Sequence, residues 1–392
     1  MPRFEPFAAL RYAAADLSPI VAPPYDVLSD ADLTDLQARS PHNVVHVDVP
    51  RDGDDRYRRA AATLRQWRAD GVLVADPMPS FTIYRMRFTD AGGDGRDISG
   101  VLGGLELVDE GAGGVLPHER TTPKDSTDRL ELTRATKANL SPVWGLSLAG
   151  GLADLLAEPG EPVGHVVEDG VEHVVERVVD PNRIAAIQRL LATDDVLIAD
   201  GHHRYAVSRT YRDEVRAGTG RNDTPAEQTL AFVSELVAEQ LSVDAIHRLY
   251  SGIEAGELAT ELRRRFDVAP TDRPGPDTLA AMAGDGFLVL VTRDRAWRLT
   301  PKPGAFDDVR ALDGAWLEAT LNGTGADVRY QHGLSETLAE VDAGRASAAV
   351  LTRPVSVAEI ERTAREGLLM PPKSTFFTPK LKTGLVIRPM SD

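Results

Sequence analysis

Five consecutive residues, Asp200-Gly201-His202-His203-Arg204, bring a carboxylate, two imidazoles and a guanidinium to one point of the chain. They follow the apolar run Val196 to Ala199, which reads as a buried strand, and precede Tyr205 to Val215, which reads as a helix. At such a joint a glycine lets backbone approach a ligand closely, the first helical N–H groups point outward, and the helix dipole favours an anion. His202, His203 and Arg204 then fan around the place where a phosphate would dock, because neighbouring helical positions point roughly 100° apart. Asp200 would repel that phosphate unless it held a magnesium ion or took a proton from a substrate hydroxyl. This is the outline of phosphoryl transfer. Asp is also a favoured helix cap, so a capping role for Asp200 stays open. Zinc is disfavoured, since adjacent histidines do not easily chelate one ion and the His-x-x-x-His spacing is missing.

Two further clusters carry similar chemistry. Pro117-His118-Glu119-Arg120-Thr121-Thr122-Pro123-Lys124, with Asp128-Arg129 beyond, follows the glycine-rich stretch Gly111 to Gly114. It offers Glu119 as a general base and His118 and Lys124 as phosphate contacts; a polar loop is the plainer alternative. Near the C-terminus, Lys373, Ser374 and Lys380 stand in a Pro-stiffened stretch, 371–384, whose apolar Phe376, Phe377, Leu381 and Leu385 suggest that it packs down. Only six of the 44 basic residues are lysines, and five of these fall in the windows 118–137 and 373–382. A lysine is a compact charge on a flexible stem and an arginine a rigid fork, so surviving lysines in an arginine-rich chain mark site candidates. Pro23-Pro24-Tyr25-Asp26 reads as structural, and His247-Arg248 is left open.

Composition narrows the classes. The chain has 392 residues, 42% of them hydrophobic and 27% charged, as in an ordinary globular protein with two or three cores. With no cysteine, disulfides, thiolate catalysis and cysteine-held zinc or iron–sulfur groups are excluded, and no zinc, haem or iron–sulfur cofactor is expected. A net charge of −16 argues against general nucleic-acid binding but leaves room for a small anion in a local basic pocket. No stretch approaches the roughly 20 apolar residues of a membrane span, and Met1 to Glu5 has no apolar signal region. A cytoplasmic location, no membrane and a small-molecule substrate are expected, with the oligomeric state undetermined.

The elements that must position these residues read as α/β or α+β, with mixed sheets and flanking helices. Ser29 caps a helix Asp30 to Arg39, with Asp32 in a capping-box-like role, and Asp54 to Asp70 is a second helix. Phe81 to Phe88 and Ile98 to Val108 form a hairpin across a glycine-rich turn, 91–95. The Gly- and Pro-rich patch Gly150 to Pro162 is the expected linker. Beyond it come strand His173 to Val179, helix Asn182 to Ala192 and the 196–215 strand-and-helix, whose Val207, Tyr211 and Val215 share a face. Three segments are expected: 1–155, 156–255 and 256–392.

Taken together, P-P-Y-D-V, H-E-x-T with a following D-R, A-D-G-H-H-R-Y and M-P-P-K-S-T-x-F-x-P-K with T-G-L resemble the conserved family of domain of unknown function 1015. The strand–G-H-H-R–helix segment is similar to the G-x-H-R signature of the ParB/sulfiredoxin superfamily, in which the turn binds nucleotide phosphates. His202 stands where sulfiredoxins have cysteine, so their repair chemistry is ruled out. The shared D-G-H-H resembles the free-serine kinases of that superfamily. The resemblance implies a central ParB/sulfiredoxin-like phosphate-binding unit in which Asp200 is catalytic and Gly201, His202, His203 and Arg204 contact phosphate. It also implies an earlier glutamate, for which Glu119 is the best-placed residue. The expected function is a nucleotide-dependent phosphotransferase acting on a small hydroxyl-bearing metabolite such as serine, using Mg2+ (with Asp200 as its ligand) and ATP, ADP or CTP. The alternative is a nucleotide-binding sensor without catalysis.

Overall fold

The computed structural model describes residues 1–51, 53–90, 93–119 and 126–390. It forms two compact units, Met1–Ser242 with Pro379–Asp392, and Val243–Thr378. The segments expected at 1–155 and 156–255 thus fall largely within the first unit, which the chain rejoins for its last residues.

In chain order the strands of the first unit are β1 (Phe4–Glu5), β2 (Leu10–Tyr12), β3 (Leu73–Ala75), β4 (Phe81–Thr89), β5 (Gly95–Glu106), β6 (Val115–Pro117), β7 (Ala138–Asn139), β8 (Val143–Ser147), β9 (Glu161–Glu168), β10 (Val171–Val178), β11 (Val196–Asp200) and β12 (Gln228–Glu235). Its helices are α1 (Asp30–Arg39), α2 (Val45–Asp48), α3 (Arg56–Ala69), α4 (Ser126–Thr136), α5 (Leu152–Ala157), α6 (Pro181–Leu191) and α7 (His202–Thr219). One mixed sheet runs in the order β6-β11-β8-β12-β5-β4-β10-β9, with β1 added beside β5. The β4/β5 hairpin pairs Thr82 with Leu102 and Phe88 with Arg96, as the alternating sequence predicts. The capping box of α1 also forms: the Ser29 hydroxyl accepts from Asp32 N, and Asp32 accepts from Ser29 N.

Fold class is mixed α/β, with helices covering the large sheet. Leu152, Leu156, Ile187 and Leu191 of α5 and α6 close over Ile83, Val101, Val196 and Val233, all of them buried. The expected linker, Gly150 to Pro162, is therefore corrected: it contains α5, whose Leu152 and Leu156 are fully buried. Each such leucine gains on the order of 2 kcal/mol, enough to hold a six-residue helix that would not persist alone.

The second unit is built on an antiparallel sheet in the order Phe266–Thr271, Ala296–Pro301, Leu288–Val291, Ala348–Leu351, Ile246–Ser251 and Asp327–His332. Leu258, Leu262, Leu317 and Leu321 pack on one face. Met282, Leu334 and Leu338 pack on the other.

Sheet register decides what surrounds Asp200, the last residue of β11. Parallel β6 places Pro117 opposite Ile198, so His118 emerges beside the end of β11. Antiparallel β8 sets Trp144 opposite Asp200, which brings Pro142 close. The returning C-terminal segment bridges Thr383 to Ala22 and Ile387 to Leu10, and Arg388–Pro389 pairs with β7. Lys380 and the Pro23-Pro24-Tyr25-Asp26 loop are brought into the same region by that path.

Candidate active site

Gly201 adopts a left-handed conformation (φ 88°, ψ 27°) that turns the chain from β11 into α7. A side chain there would be strained, and its Cβ would lie 3.0 Å from the Arg204 guanidinium. The helix starts at His202, three residues before the apolar periodicity suggests, because glycine supplies the turn that a capping side chain would otherwise make.

Asp200 ends the strand with its carboxylate between two cations. Its Oδ2 accepts from Arg204 Nη2 at 2.7 Å and its Oδ1 from Lys380 Nζ at 3.3 Å. The side chain is 23% exposed, so the pair is sheltered but reachable. Burial would raise this carboxyl, but the charge of Lys380, then that of Arg204 and that of His202, overrules it and holds Asp200 well below the usual carboxylate range. Asp200 is thus an anion at any working pH. Arg204 is buried, and its Nη1 donates to the Pro142 carbonyl while Nη2 donates to Asp200.

His118 is fully buried, and its Nδ1 donates to the Ile198 carbonyl at 2.5 Å. A carbonyl only accepts, so the proton sits on Nδ1 and Nε2 is the acceptor. Burial lowers the His118 pKa, partly offset by the nearby charge of Glu119 and then by Asp200. Its ring lies 5.1 Å from the ring of His202 at 49°. The structure therefore gathers His118, Glu119, Asp200, His202, Arg204 and Lys380 around the end of β11, from three distant parts of the chain. His203 is half-buried on the first turn of α7.

Other candidates fall elsewhere. Lys124 lies outside the described residues. Lys373 and Ser374 belong to the second unit, where Lys373 takes a left-handed φ of 56° and its carbonyl accepts from Arg248 Nη1 at 3.0 Å. The Ser374 hydroxyl donates to Pro371 O at 2.7 Å. Arg248, left open by the sequence, is buried and holds this loop.

Sequence reasoning missed an adjoining group. Burial pushes the Tyr25 hydroxyl up to about 12, with the charges of Asp26, Arg204, Arg129 and Asp48 all acting on it. The Arg129 guanidinium lies 4.4 Å over the Tyr25 ring and donates to Asp128 and to the Asp48 carbonyl. Asp48, at the end of α2, is 4% exposed; burial raises its pKa against the pull of Arg129 and then Arg204. The P-P-Y-D motif was the available signal for Tyr25, whereas Asp48 stands in an apolar run, Val44 to Val49, that reads as core.

Among the described residues, no group of three or more His, Cys, Asp or Glu could hold a metal ion. Asp200 is a single carboxylate already matched by two cations, and so does not fit a resident magnesium site on its own.

The family model described as "Protein of unknown function (DUF1015)" matches residues 4–315. No curated protein matches the chain. Similar solved structures include a conserved hypothetical protein from Pyrococcus furiosus, at 13% identity and a TM-score of 0.38, covering 69% of this chain and 92% of that one. A free serine kinase in complex with AMP is similar at 13% identity and a TM-score of 0.39, over 74% of this chain and 92% of that one. SbnI with C-terminal truncation from Staphylococcus aureus is similar at 13% identity and a TM-score of 0.41, over 73% and 87% respectively.

Proposed function

We propose that this chain, which belongs to the DUF1015 family of proteins of unknown function, is a nucleotide-dependent phosphotransferase acting on a small hydroxyl-bearing metabolite. One observation carries the reading: a carboxylate, Asp200, held by Lys380 and Arg204 at the start of an 18-residue helix. In this arrangement the nucleotide phosphates meet the outward N–H groups of the first turn with His202 and His203, where the helix dipole favours them. The choice of a serine-like acceptor follows the resemblance of D-G-H-H to free-serine kinases.

The acceptor hydroxyl lies against Asp200. Its oxygen attacks the terminal phosphorus, a new ester P–O bond forms, and the bridging P–O bond to the nucleotide breaks, leaving the shortened nucleotide as an anion. The hydroxyl proton passes to the Asp200 carboxylate and from there to solvent. A carboxyl of such low proton affinity takes that proton late, which suits a loose transition state in which positioning and charge supply most of the rate. Lys380 makes the longer of the two contacts to Asp200, at 3.3 Å, and its flexible stem lets it turn to the transferred group as charge develops. Glu119, whose charge reaches His118, is the second carboxylate at this end of the sheet. Magnesium enters with the nucleotide as part of the substrate, and no step is assigned to it.

Single-turnover incubation with ATP, ADP or CTP and L-serine tests the reading. A kinase moves phosphate to the acceptor, whereas a sensor only binds, with slow hydrolysis at most. Asp200→Asn is expected to abolish transfer and spare nucleotide binding. Full turnover by that variant would remove Asp200 from the mechanism.

A further inference from the structure

Beside Arg204 the first unit holds a pocket of about 40 Å³ whose polar lining includes Asp48, Arg129, Arg204, Asn139, Ser141 and Ser208. Nothing in the phosphoryl-transfer reading uses it. Room of this size takes about three waters, or roughly 90 Å³ of liquid. That suits a compact three-carbon molecule and is far too little for a nucleotide.

The lining has an unusual balance. Asp48 is buried, yet its carboxylate accepts no hydrogen bond among the described residues and stands 3.5 Å from Arg129 Nη1. With one long ion pair as its partner, the Asp48 carboxylate on the pocket wall has acceptor capacity that a donor on a ligand would use. Arg204 spends its terminal nitrogens on Pro142 and Asp200, while its Nε–H has no partner among the described residues. Arg129 sits over the Tyr25 ring and is bonded to Asp128, a fork positioned by the protein itself. Two fixed guanidinia answer a carboxylate, and the under-bonded Asp48 answers an ammonium or hydroxyl.

We infer that this cavity is the acceptor subsite and takes a small zwitterionic amino acid, with its carboxylate on Arg129 and Arg204 and its ammonium on Asp48. The inference takes its acceptor class from the proposed function and locates it. Arg204, bonded to Asp200 and lining the pocket, then links the two halves of the reaction. Ser141, on the segment between β7 and β8, also lines the pocket, and a larger side chain there would take up its space.

Calorimetry on the intact chain, with L-serine, ethanolamine and ATP as separate titrants, tests the inference. The wild type is expected to bind L-serine, and to bind ethanolamine, which lacks the carboxylate, at least tenfold more weakly. Asp48→Asn is expected to weaken L-serine at least tenfold with ATP affinity unchanged. Should Asp48→Asn fail to fold, as judged by circular dichroism, Ser141→Leu decides: it is expected to exclude L-serine and still bind ATP. Wild-type L-serine affinity in the folded variants, equal affinity for ethanolamine, or no L-serine binding to the wild type would overturn the inference. The two readings fail separately. L-serine binding that responds to Asp48→Asn without any phosphoryl transfer sinks the kinase and keeps the subsite. Transfer to serine with an unchanged KM in Asp48→Asn keeps the kinase and sinks the subsite.

Discussion

Replacing Gly201 by alanine isolates the turn on which the site depends. At φ 88° an L-residue costs about 1–2 kcal/mol, from the approach of Cβ to the backbone. The new Cβ would also meet the Arg204 guanidinium at 3.0 Å, closer than ordinary contact, so the side chain must give by a few tenths of an ångström. That movement strains the charge-assisted bonds from Arg204 to Asp200 and to Pro142, each worth about 1.5–3 kcal/mol when intact. If half of one such bond is lost, the total is about 2–3.5 kcal/mol. Gly218, near the end of the same helix, provides the control. Its φ is not in the left-handed region, and nothing lies within 4 Å of an added Cβ. Gly218→Ala is therefore expected to be neutral or to stabilise by up to about 1 kcal/mol. Urea unfolding of both variants, followed by circular dichroism, reads the difference. Equal stabilities for the two variants would refute the claim that a left-handed glycine seats Arg204 against the strand end.

Other variants probe the charges. Lys380→Met removes the charge that contributes most to keeping Asp200 ionised, and is expected to destabilise the fold by about 1–2 kcal/mol at neutral pH. Because the folded pKa of Asp200 is depressed, that stabilisation is present above the carboxylate's unfolded pKa and is lost as pH falls through the folded one; the gap between the two proteins should begin to close only below about pH 4. A gap that widens on acidification would contradict the assignment. His173 is buried, its Nδ1 lies 2.7 Å from the Tyr84 hydroxyl, and burial with the charge of Lys382 lowers its pKa to about 4. Its neutral form contributes stability above pH 6.5 that fades as pH falls toward 4, at most about 3 kcal/mol, so His173→Gln should flatten the wild-type slope across that window. Arg11 pairs with Asp76 at 2.9 Å in the first unit, both buried, so Arg11→Met is expected to cost about 3 kcal/mol by leaving Asp76 short of a cation. Urea midpoints unchanged from the wild type would show that Arg177, 3.6 Å from Asp76, suffices alone.

The local chemistry was legible in the chain because it is local. An apolar run, a glycine and a polar triplet specify strand, turn and helix within ten residues, and α1 with its Ser29–Asp32 cap is equally self-contained. Of the lysines that the bias singled out, Lys380 meets Asp200 at a sequence separation of 180, while Lys373 lies in the other unit. Gly150 to Pro162 misled because turn residues punctuate it at both ends, while the two buried leucines four residues apart, Leu152 and Leu156, are what fix its conformation. Asp48 and Arg129, 81 residues apart, meet only because α2 and α4 pack in the same region, and no local pattern announces such a pair. Domain organisation was hardest to read, since the first unit closes with the last residues of the chain.

The central claim is that the turn between β11 and α7 receives nucleotide phosphates beside Asp200. A crystal structure with a non-hydrolysable ATP analogue and magnesium tests it most directly. The account predicts terminal phosphate oxygens within hydrogen-bond distance of the backbone N–H groups of His202 and His203, with Lys380 turned from Asp200 toward them. A nucleotide seated elsewhere, with the Lys380–Asp200 pair unchanged, would contradict it.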